Sequence, residues 1–60
     1  MRYKKMYQVI FDDEAQGEIT ENFETFEEAA EFWQEYADTE TCRAGQLWDM
    51  SNGEVIWRFE

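Results

Sequence analysis

A chain of 60 residues with a formal charge of -10 has room for one domain, over residues 1–60, because folding a chain this short buries only about 60% of its unfolded surface. With one cysteine and no histidine it can form no intrachain disulfide, build no metal site from Cys and His, and offer no histidine for acid–base catalysis. Eleven aromatic residues set it apart from disordered acidic chains, which are poor in aromatics, and supply the large buried area per residue that a minimal core requires.

Residues 1–5 are basic, but no apolar run long enough for a signal peptide or a membrane span follows them, so the expectation is a cytoplasmic protein. Residues 4–11 carry Met6, Tyr7, Val9, Ile10 and Phe11, a β-branched and aromatic run that predicts a first strand ending at the polar segment 12–17. Residues 18–23 are expected to return antiparallel as a short strand, with Ile19, Glu21 and Phe23 on one face.

A helix is predicted over residues 25–38. Thr25 followed three positions later by Glu28 forms a capping box, in which hydroxyl and carboxylate satisfy free backbone N–H groups at the helix start. At about 100° per residue, Phe26, Ala29, Ala30, Trp33, Tyr36 and Ala37 fall on one side and Glu27, Glu28, Glu31, Glu35 and Asp38 on the other. Phe32 is placed at the boundary, partly exposed.

Residues 42–59 read as a hairpin, with strands at 43–49 and 54–59 separated by Met50, Ser51, Asn52 and Gly53, where Asn-Gly is a strong turn signal. A two-residue loop sets Trp48 opposite Trp57, whereas a four-residue loop sets Leu47 opposite Ile56; the residues alone leave both registers open. The expected fold class is α+β: a small antiparallel sheet of three or four strands with one amphipathic helix packed on one face.

From Asp12 to Glu40 there are twelve carboxylates and no Lys, Arg or His. A neutral solvated helix face normally intersperses Lys or Arg at i+4, each pair worth a few tenths of a kcal/mol; this helix carries none. Glu27, Glu31 and Glu35 recur every four residues, about 6 Å apart along the axis, a spacing comparable with that of neighbouring phosphates on a nucleic-acid strand. The candidate partner-binding residues are therefore Asp12, Asp13, Glu14, Glu18, Glu27, Glu28, Glu31, Glu35 and Asp38.

Asp12, Asp13, Glu14, Gln16, Gly17 and Glu18 also resemble the opening of a calcium loop, but the twelfth position is Phe23, where a bidentate glutamate is needed. No glycine-rich phosphate loop or nucleophile–base pair is present, so neither catalytic activity nor a cofactor is expected. Because a helix covers only one face of a sheet, some of Tyr3, Tyr7, Trp48, Trp57 and Phe59 are expected on the open side, where they would mark an interface with a target or with a second copy of the chain. That surface offers the alternative function, a protein–protein interaction module or small subunit that binds through aromatics.

In size, acidity and a carboxylate-lined surface on a minimal α+β core, the chain resembles the small DNA-mimic inhibitors of phages and mobile elements, which include anti-CRISPR proteins, uracil-DNA glycosylase inhibitors and anti-restriction proteins. The resemblance implies that the Asp12 to Glu40 carboxylates occupy a basic channel that normally holds DNA phosphates, in the host cytoplasm if the protein is phage-encoded; the expected state is a monomer or homodimer. The partner would be a basic nucleic-acid-binding protein of the host, such as a CRISPR effector or a DNA-processing enzyme, with no direct contact to nucleic acid or membrane.

Overall fold

The computed structural model describes residues 6–60; residues 1–5, including Tyr3 and the predicted start of the first strand, lie outside it. Four strands and one helix follow in the order β1 (Tyr7–Asp13), β2 (Gly17–Phe23), α1 (Phe26–Ala37), β3 (Cys42–Asp49) and β4 (Glu54–Phe59). The strands form one antiparallel sheet in the order β2-β1-β3-β4, and α1 packs across one face of it. This is the expected α+β architecture, with β1 and β3 central and β2 and β4 at the edges.

Alternation along β1 sends Val9, Phe11 and Asp13 toward the helix and Gln8, Ile10 and Asp12 away from it. Val9, Phe11, Leu47 and Ala29 are fully buried. Around them lies an aromatic layer in which Phe11 meets Phe32, Trp33 and Tyr36 at ring-centroid distances of 5.7, 5.2 and 5.1 Å. Gly45 sits beneath this layer, and a Cβ there would fall 2.7 Å from the rings of Phe11 and Phe59, so the close approach of ring to strand requires glycine.

Thr25 caps α1 as expected, accepting the Glu28 N–H at 3.2 Å. The helix sits with Phe32, not Phe26, over the sheet. Phe32 packs on Phe11 and Phe23, whereas Phe26 is 37% exposed and meets the rings of Tyr7 and Trp57 edge-on. Phe32 is half-buried, as expected of a boundary position, and only Phe26 is more exposed than its place on the apolar side suggests. The first helical turn lies at the end of the sheet, where Phe26 has less to cover it.

The β3–β4 loop is the four-residue form, with Asp49 opposite Glu54 and Trp48 opposite Val55. Neither expected pairing holds beyond that point, because a bulge between Leu47 and Trp48 brings Leu47 opposite Trp57. The bulge leaves Ile56 as the extra residue on β4. It turns Trp57 and Phe59 toward the helix, where both rings contact Trp33. Tyr7, Trp57 and Phe59 thus join the core side, and Trp48 is the one aromatic residue on the open face among the described residues. There its indole N–H donates to Gln46 Oε1 at 2.8 Å.

Candidate acidic interface

Glu27, Glu28, Glu31 and Glu35 project from α1, Asp38 is its C-cap, and all five are exposed. The two arginines among the described residues are engaged elsewhere, Arg43 with Glu14 at 2.8 Å and Arg58 with Glu60 at 3.1 Å. The helix carboxylates consequently face solvent without a cationic neighbour from the described chain. Two shallow grooves flank them. One, of about 380 Å³, runs between β2 and α1 and is lined by Asn22, Phe23, Glu28, Glu31, Phe32 and Glu35. The other, of about 500 Å³, is lined by Phe26, Glu27, Glu28, Ala30, Glu31 and Gln34. Each combines aromatic surface with carboxylates, which suits an arginine or lysine whose aliphatic stem lies on a ring while its charge meets an acid.

The remaining four candidates are placed differently. Asp12 and Glu18 face each other across β1 and β2, on the sheet face opposite the helix, where like charges on paired strands repel. Glu14 is at the turn and carries the Arg43 ion pair. The expectation that Asp13 meets a partner is corrected: it is 2% exposed and points inward. Its Oδ1 accepts the N–H groups of Ala15 and Gln16 at 2.8 and 3.0 Å. Its Oδ2 accepts the Tyr36 hydroxyl at 2.7 Å and the Thr41 hydroxyl at 3.0 Å. One carboxylate thereby ties the β1–β2 turn to the end of α1 and the approach to β3.

Gln16 Nε2 also donates to the Tyr36 hydroxyl at 3.1 Å, so that oxygen both gives and receives. The Tyr36 hydrogen bond is the main influence holding the Asp13 carboxyl below its ordinary value; burial opposes it, and the Ala15, Gln16 and Thr41 donors add to it. The same hydrogen bond, reinforced by burial and by the Asp13 charge, pushes Tyr36 up to about 12. Burial and the nearby Asp13 charge raise the Cys42 thiol, which favours its protonated form over the nucleophilic thiolate. The segment closes as an Asx turn in which protein donors occupy both oxygens of Asp13.

No helix among the described residues is long and apolar enough to cross a membrane. Comparison with known proteins finds no matching family model, no matching curated protein and no matching solved structure.

Proposed function

We propose that this protein binds a basic, nucleic-acid-binding protein and inhibits it by presenting carboxylates where that protein normally holds phosphates. The supporting observation is the helix face: four exposed carboxylates on α1 and a fifth at its C-cap, with both described arginines paired to other acids. A fixed array of like charge focuses a field that draws in a basic channel and raises the rate of encounter. Because the array repels nucleic acid itself, it acts on the protein that binds the nucleic acid. A CRISPR effector or another DNA-processing enzyme has the required channel, and in this reading inhibition is stoichiometric and needs no cofactor.

The test is capture of targets from a lysate at low salt with the parent and with a Glu31→Lys, Glu35→Lys double variant. Both side chains are exposed and distant from the core, so the variant keeps its fold. Loss of DNA-binding or RNA-guided enzymes from the captured set is the expected result; an unchanged set removes the acidic face from the function.

A second reading rests on the open sheet face, where Val55 and Ile56 are 41% and 38% exposed beside Trp48. A partner held by that patch would stay bound as salt rises, whereas a phosphate mimic releases its target.

A further inference from the structure

The two edges of the sheet differ. On β4 the bulge at Ile56 disrupts the spacing of backbone groups, a feature that discourages pairing with another strand. On β2 the register with β1 is unbroken from Tyr7↔Phe23 to Asp13↔Gly17.

The direction of the backbone groups on β2 follows from one hydrogen bond. Met50 N–H donates to the Met6 carbonyl at 2.7 Å across the β1–β3 seam. Antiparallel alternation then aims the polar groups of Gln8, Ile10 and Asp12 at β3 and those of Tyr7, Val9, Phe11 and Asp13 at β2. Their partners on β2 are Phe23, Glu21, Ile19 and Gly17. The N–H and C=O groups of Glu18, Thr20 and Asn22 therefore point out of the sheet, along an edge that no other described strand occupies.

This edge borders the groove floored by Phe23 and Phe32 and walled by Glu28, Glu31 and Glu35. A strand added beside β2 would send alternate side chains over that groove, against its carboxylates, and the others past Glu18 on the opposite face. Acidic side chains on both faces of the edge repel a second copy of a chain with a charge of -10 and attract a basic one.

We propose that β2 receives an extended, basic segment of the partner protein as a fifth strand, with an arginine or lysine of that segment seated in the β2–α1 groove. Backbone pairing gives the affinity and the acidic groove selects the residue. The proposal rests on the acidic-binder reading above and adds to it the mode of contact.

The probe is a short peptide alternating Arg with Thr, compared with the same peptide N-methylated at every backbone nitrogen, which keeps the charge and loses the donors. Binding is followed by NMR and amide hydrogen exchange on the labelled protein at low salt. The peptide is expected to slow exchange at Glu18, Thr20 and Asn22, and N-methylation to weaken binding about tenfold, the loss that one or two net backbone hydrogen bonds imply. Thr20→Pro, which removes an outward N–H, should have the same effect while the Ile10 amide stays protected and so reports an intact sheet.

Equal binding of both peptides without slowed exchange on β2 would overturn the strand addition and leave the acidic reading standing. No binding of either peptide would overturn both. Protection of Glu18, Thr20 and Asn22 that rises with protein concentration alone would assign the edge to a second copy and overturn the proposal.

Discussion

Protonation of Asp13 would set its carboxyl against four donors at once, those of Ala15, Gln16, Tyr36 and Thr41. Its folded-state value lies below the ordinary 3.8, so the linkage has one sign: the contribution is complete above the unfolded value and is lost as pH falls through the folded one. The window is thus below pH 3.8, and acid unfolding should begin there. Tyr36→Phe removes two hydrogen bonds, the one to Asp13 that is the main cause of the depression and the one from Gln16. The variant should melt about 5 °C lower at neutral pH, and its Asp13 carboxyl, followed by NMR titration, should move up toward the ordinary value. An unmoved titration would show that the backbone N–H groups hold Asp13 without help from the tyrosine.

Among the elements, β3 is the most tightly constrained, because Gly45 lies directly under Phe11 and Phe59. Gly45→Ala should destabilise the fold by about 1–3 kcal/mol, the usual cost of forcing extra volume into a packed core, a large fraction of the stability of a domain this small. A melt equal to the parent's would mean that both rings shift without strain.

What could be read from the residues follows from how local each determinant is. The Thr25 cap, the helix period and the turn at residues 50–53 are each set by residues only a few positions apart, and all three reappear in the structure. The bulge at Ile56 depends on Trp57 and Phe59 finding Trp33, a contact that crosses more than twenty positions of chain, and turn chemistry alone gives no sign of it. Asp13 was hidden by its neighbours. In a run of Asp12, Asp13 and Glu14 each acid reads as solvated, and only strand alternation with Tyr36 and Thr41 nearby singles out the middle one. The five helix acids were legible because one period sets them all; Asp12, Glu14 and Glu18 were not separated from them because sheet faces depend on register.

For the whole molecule, a charge of -10 on 60 residues makes the compact state self-repelling. The two ion pairs seen among the described residues are both well exposed, and exposed pairs contribute little attraction. Adding salt at pH 7 should therefore raise the melting temperature of the free protein by screening the repulsion. The same salt should weaken the proposed complex, and the two opposite slopes can be measured on one preparation. A melting temperature that falls with salt would show that attractive pairs dominate the surface.

The strand order β2-β1-β3-β4 also divides the chain in time. Each outer pair is a hairpin closed by a short loop, over residues 14–16 and 50–53, an event of microseconds. The seam between β1 and β3 joins the two hairpins across the intervening helix, and such non-local pairing governs how fast small domains fold. Truncations at the seam, Val9→Ala and Leu47→Ala, should slow folding in a chevron experiment, whereas Ile19→Ala and Val55→Ala, on the outer strands, should chiefly speed unfolding. The central seam that buries the core is thus also the gate through which the chain reaches its folded form, and the β2 edge proposed to receive a partner takes no part in it.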